Sequence, residues 1–77
     1  MVKPTRVTNA IRRLRLEHGE MTQAELADHV GMTRQTIIAI EQGRYSPSLE
    51  TAFQIARVFN ASLDEVFQFA DGEGETS

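Results

Sequence analysis

An all-α fold of five short helices is predicted for this 77-residue chain by three observations. Serine or threonine caps stand ahead of four apolar stretches: Thr22 with Glu25, Thr33, Ser48, and Ser62 with Glu65. Gly31, Gly43 and Asn60, which tolerate a left-handed backbone, close three of those stretches. Inside them the apolar residues recur at helical spacing, and Ala27, Gly31 and Ile37 fall in the register of two short helices crossing closely at a tight turn.

Taken in order, residues 1–7 are expected to form an extended basic arm, because Pro4 disfavours helix at Lys3. A first helix is predicted over Asn9–His18 with Thr8 as its cap. Ile11 and Leu14, with Val7, make its buried stripe, and Arg12 and Arg13 project outward. Arg15 lies beside that stripe and needs a carboxylate if it is buried. Gly19-Glu20-Met21 connects to the second helix, with Met21 placed as a hydrophobic staple ahead of the Thr22 cap. That helix carries Leu26, Ala27 and Val30 on one face.

The third helix runs from the Thr33 cap through Gln42 and has two faces. At about 100° per residue, Thr33, Thr36, Ile37 and Ile40 gather on one side and suit a core. Arg34, Gln35, Ile38, Ala39 and Gln42 gather on the other, and forked, amide and small apolar groups of that kind read base edges in a DNA major groove. Arg44-Tyr45-Ser46-Pro47 follows as a loop. Ser48 caps a fourth helix, LETAFQIARVF, whose stripe Leu49, Ala52, Phe53, Ala56 and Phe59 is expected to close the core, leaving Ile55 and Val58 off it. A fifth helix, LDEVFQF, is expected with Leu63, Val66 and Phe67 as its apolar positions, and no sheet is expected. Residues 71–77, DGEGETS, have no apolar side chain and are expected to be a disordered acidic tail after a domain spanning 8–70.

Composition narrows the function classes. There is no cysteine, so no disulfide or Cys-based zinc site, and two histidines are too few for a metal cage; no cofactor or metal is expected. No apolar run approaches 18 residues, and MVKPTRVTNAIRR lacks the apolar region of a signal peptide, so a cytoplasmic, prokaryotic protein is expected. The net charge of −3 is unevenly spread: residues 1–16 carry +5, 17–31 carry −4, 32–48 carry +1 and 49–77 carry −5. Local phosphate contacts, not total charge, set DNA affinity, and an acidic rear face favours one orientation on a duplex. Asp64 and Glu65 fall in the first turn of a helix, where acids suit the macrodipole, and His18 and His29 have no nucleophile near them in sequence. No enzyme is expected.

Gln23-Ala24-Glu25-Leu26-Ala27, Gly31, Thr33-Arg34-Gln35-Thr36-Ile37, Glu41-Gln42-Gly43-Arg44 and Pro47-Ser48-Leu49 together resemble the phage-repressor-like helix-turn-helix regulators, the Cro/cI-type or xenobiotic-response-element (XRE) family. The resemblance covers about residues 8–69, with a 19–21 connection one residue longer than in the shortest members. It implies a lambda-repressor-like DNA-binding domain, an Arg15–Glu41 pair between the first and third helices, and a phosphate contact by Gln23 at the start of the second, where free N–H groups and the helix dipole favour an anion. Base reading is expected from Arg34, Gln35, Ile38 and Ala39, with Ile38 equally suited to thymine methyls or to packing at the core edge. Phosphate contacts are expected from Gln23, Thr36, Gln42, Arg44, Tyr45 and Ser46, and from Arg12 and Arg13.

The expected function is therefore a sequence-specific transcriptional regulator, a repressor, whose partner is double-stranded DNA and whose nucleoid association comes through that DNA. A recognition helix this short reads few base pairs, so a homodimer on a palindromic operator is expected. Val58, Val66, Phe67 and Phe69 are the expected dimer surface, because the chain after the fourth helix is apolar beyond the needs of one small core. The alternative is a protein-binding adaptor or antitoxin module on the same fold.

Overall fold

The caps at Thr22, Thr33, Ser48 and Ser62 form as the sequence predicts. In the computed structural model, which describes residues 6–44 and 46–69, the chain runs β1 (Val7–Asn9), α1 (Ile11–Glu17), α2 (Gln23–Val30), α3 (Arg34–Glu41), α4 (Leu49–Val58), α5 (Leu63–Val66) and β2 (Phe67–Phe69). Thr22 and Ser62 both form complete capping boxes, each hydroxyl accepting from the backbone N–H of the glutamate three residues on, whose carboxylate accepts in return from the cap's N–H. Thr33 and Ser48 cap α3 and α4 through Thr36 N–H and Thr51 N–H. Gly31 (φ +70°), Gly43 (φ +72°) and Asn60 (φ +53°) take the left-handed conformation. Each lets the residue after it donate back to the carbonyl five residues earlier: Met32 to Ala27, Arg44 to Ala39 and Ala61 to Ala56, at 2.9–3.0 Å.

Both ends of the domain depart from the sequence reading. Thr8 does not cap a helix; it lies in β1, and α1 begins two residues later than predicted. Ala10 is the N-cap and makes no side-chain cap bond; Asn9, at the end of β1, accepts through Oδ1 from Ile11 N–H at 3.1 Å. The fifth helix is one turn long, and Phe67–Phe69 leaves it as β2, antiparallel to β1 with Val7 opposite Phe69, Thr8 opposite Gln68 and Asn9 opposite Phe67. The expectation of no sheet is thus corrected by a small two-stranded one. Gln68 secures the change of direction, its amide donating to the Asp64 and Glu65 carbonyls that α5 leaves free.

Ile11, Leu26, Ile37, Ile40, Ile55 and Val66, one or two from each helix, are at most 1 % exposed and form the centre of the core. Val66 is therefore removed from the expected dimer surface: its side chain fills the protein's own interior and its carbonyl accepts from Ala10 N–H at 2.8 Å. The stripe of α4 is also corrected. Ala52, Ile55, Ala56 and Phe59 face inward, whereas Leu49 and Phe53 are 66 % and 50 % exposed. Because α4 packs on both α2 and α5, its buried face is the one that meets both, about one residue round from the predicted stripe. His18 lies against this core, its Nδ1–H donating to the Leu14 carbonyl and its ring meeting Phe59 edge-on at 5.2 Å.

Glu20 is a left-handed residue with a β-carbon, at φ +56°, directly after Gly19 at φ +75°. That conformation costs a non-glycine residue about 1 kcal/mol. Glu20→Gly relieves that strain but adds unfolded-chain freedom, so it is expected to raise stability by up to about 0.5 kcal/mol and the melting temperature by a few degrees; a markedly lower melting temperature in calorimetry would show that this turn is not strained. Among the described residues no helix is long and apolar enough to cross a membrane.

Candidate nucleic-acid interface

The site is built on α2 and α3. Ala27 is buried where the helices cross, and Gly31 turns the chain so that α3 lies across α2 with Ile37 and Ile40 inward. Burying those two isoleucines fixes the rotation of α3 and with it the outward arc. Arg34, Gln35 and Gln42 are exposed, and Ile38 and Ala39 are half-buried. Neither Ile38 nor Ala39 belongs to the partly buried apolar set packed against the core, which among the described residues comprises Ala10, Met21, Met32, Val58, Ala61 and Phe67. This is the arc expected of a helix that presents its N-terminal residues to base edges.

The N-terminus of α2 opens onto the same side. Glu25 N–H and Leu26 N–H are satisfied by Thr22, while the N–H groups of Gln23 and Ala24 have no partner among the described residues. Gln23, Ala24 and Arg34 line one open cleft of about 460 Å³ together with Arg15 and Glu20, so two free backbone donors, a side-chain amide and guanidinium groups lie together with one carboxylate on the Glu20 side. Behind the cleft sits the expected ion pair. Arg15 Nε donates to Glu41 Oε2 at 2.6 Å and Arg15 Nη2 to Glu41 Oε1 at 3.1 Å, with both side chains less than a tenth exposed. Arg15 Nη1 donates to the Met21 carbonyl at 2.8 Å, so the guanidinium joins α1, the 19–21 turn and the end of α3.

The remaining predicted phosphate contacts are not all gathered here. The Thr36 hydroxyl is half-buried and engaged with the Thr33 hydroxyl at 3.0 Å. Arg44 is exposed just past α3, in the loop closed by Gly43. Ser46 lies on the rim of a separate apolar groove of about 280 Å³ with Val7, Pro47, Leu49, Leu63 and Phe67. Arg12 and Arg13 line another hollow on the outer face of α1, where Arg13 pairs with Glu17 at 3.2 Å on an exposed surface. Tyr45 lies outside the described residues, as do the first five residues of the arm and the 71–77 tail. Sequence reasoning missed Asn9, whose Nδ2 donates to the Ile40 carbonyl at 2.9 Å and ties β1 to the end of α3. An asparagine just ahead of a helix was a visible signal for its bond to Ile11 N–H, but not for this second bond.

A small helical domain with a close α2–α3 crossing, an exposed polar arc on α3 and free N–H donors at the α2 N-terminus defines a helix-turn-helix DNA-binding domain. Residues 11–66 match the family described as Helix-turn-helix, and the chain belongs to it as a transcriptional regulator of the phage-repressor-like, XRE type. It is 52% identical over 63 residues to an HTH-type transcriptional regulator of Archaeoglobus fulgidus, covering 82% of this chain and 89% of that one. It is 53% identical over 64 residues to another from Methanothermobacter thermautotrophicus, covering 83% and 91%. A more distant relative is the cryptic phage CTXphi transcriptional repressor RstR of Vibrio cholerae, 34% identical over 59 residues, which are 77% of this chain and 52% of RstR. The fold matches a crystal structure of a Bacteroides fragilis protein named as DNA-binding, with a TM-score of 0.69 at 22% identity over 80% of this chain and 98% of that one.

Proposed function

We propose that the protein is a sequence-specific repressor that binds a palindromic operator as a homodimer. The observation that carries this reading is the outward arc of α3, held in rotation by buried Ile37 and Ile40 and set beside the Gln23–Arg34 cleft. In this reading Gln35 bonds adenine N6 and N7 and Arg34 reaches guanine or the adjoining phosphate. Ile38 and Ala39 meet thymine methyls, and Gln23, Gln42 and Arg44 hold the backbone. Repression is supported by the name of the RstR relative.

Dimerisation is supported by apolar surface that the monomer leaves uncovered. Phe67 lines the groove with Leu49 and Leu63, and Phe69 lies on the same face of β2 and is 61 % exposed. Leu49 and Phe53, one turn apart on α4, extend that surface, while Val58 lies beside a different hollow with His29, Gln54 and Arg57. The same apolar surface supports the second reading, an adaptor or antitoxin that captures another protein.

Selection of bound sequences from a random duplex pool at near-physiological salt tests the proposal. Recovery of a palindrome, together with a light-scattering mass of two chains, supports it. A folded protein that enriches no sequence overturns it in favour of the protein-binding module. Ile38→Ala is expected to lower affinity for the selected operator severalfold while leaving the melting temperature within a few degrees. The reverse pattern assigns Ile38 to packing.

A further inference from the structure

We infer that Glu41 is a positioning residue for DNA binding, acting through Gln23; this rests on the proposed DNA-binding reading and assigns the site a second layer. Glu41 Oε1 accepts not only from Arg15 Nη2 but also from Gln23 Nε2, at 3.2 Å. The acceptor is a buried carboxylate clamped by two arginine nitrogens, so it is a fixed point. Gln23 is half-buried and sits at the first position of α2. An amide nitrogen carries two hydrogens about 120° apart in one plane. With one committed to Glu41, the other is left for a ligand at the cleft that Gln23 lines beside its own free N–H and that of Ala24. The side chain is thereby oriented for a phosphate before DNA arrives.

Charge explains why the fork must be complete. A lone carboxylate behind a phosphate site would repel the ligand, whereas Arg15 at 2.6 Å leaves the pair neutral toward the cleft. Glu41 can therefore orient the amide without opposing the anion. Arg15 supports the same contact from beneath by holding the Met21 carbonyl, two residues ahead of Gln23. Ordering a long side chain in advance removes a cost that binding would otherwise bear, corresponding to about a two- to tenfold gain in affinity.

The test compares wild type, Gln23→Ala, Glu41→Asp and the double variant for binding to the selected operator and to a mixed-sequence duplex, at a temperature where each is folded by circular dichroism. Glu41→Asp keeps the charge opposite Arg15 but withdraws the carboxylate by about one methylene. Each single variant is expected to weaken both duplexes about two- to tenfold, and the double variant no more than Gln23→Ala alone. Additive losses, or a Gln23→Ala protein that binds like wild type, overturn the inference. If wild type binds neither duplex, the DNA-binding reading itself falls. Wild type alone gives a further readout should Glu41→Asp fail to fold. In the free protein, nitrogen relaxation at Gln23 Nε2 is expected to approach the rigid order parameter of about 0.85, with exposed Gln54 below about 0.6. Equal mobility of the two amides overturns the inference.

Discussion

Replacing Arg15 by alanine is expected to lower the unfolding free energy by about 3–5 kcal/mol, a large share of the roughly 5–15 kcal/mol that holds a domain together. The cost comes less from the lost attraction than from what remains. Glu41, whose side chain is 8% exposed, would be left with only the Gln23 amide beside it, and the Met21 carbonyl would lose its donor. For a domain of this length the melting temperature should fall by at least about 12 °C, read by thermal unfolding in circular dichroism. The paired replacement Arg15→Met with Glu41→Leu should recover most of the loss, because no uncompensated charge is then buried. An Arg15→Ala protein that melts with wild type would show that the fork adds nothing to stability.

Replacing Gln35 by alanine is expected to reduce affinity for the selected operator about tenfold to a hundredfold and to leave binding to a mixed-sequence duplex unchanged. A well-placed bidentate amide–adenine pair discriminates by about 1–3 kcal/mol, and that term vanishes on sequences where the pair never forms. Arg34→Ala should behave differently. If its guanidinium serves the phosphate side of the cleft it shares with Gln23, affinity falls on both duplexes and the salt dependence flattens by about one counterion. Both side chains are exposed, so both variants should keep wild-type stability to within about 0.5 kcal/mol. Equal losses on the two duplexes for Gln35→Ala would remove it from base reading.

These predictions rest on features of unequal legibility. The α2–α3 unit could be read residue by residue because its determinants are local. A hydroxyl three residues from the N–H it accepts and a glycine at a left-handed turn are both contained in a few residues of chain. The two faces of α3 follow from the same periodicity, so the candidate site was visible before any contact was known. The Arg15–Glu41 fork spans 26 residues, and only the family resemblance pointed to it.

The misreadings concern choices that local chemistry leaves open. Thr8 is a sound cap in isolation, but its strand pairs with residues 60 positions away, and that pairing is what moves the start of α1. In α4, a stripe through Leu49 and Phe53 and one through Ile55 are both regular, and only the directions of α2 and α5 decide between them. Val66 belongs to the interior because α5 packs on α4 and its last carbonyl takes the Ala10 N–H, contacts that the helical pattern of LDEVFQF does not reveal.

By itself, then, the sequence determined the caps, the turns and the outward arc of α3, since each arises from hydrogen bonds and side-chain directions within about one helical turn. Only the tertiary structure decided which aromatic and aliphatic residues stay uncovered, how β1 and β2 close the domain, and that the amide of Gln23 rests on the carboxylate of Glu41. Those depend on where distant segments meet, and the free energy of such a meeting is shared among helices that no short window of sequence contains.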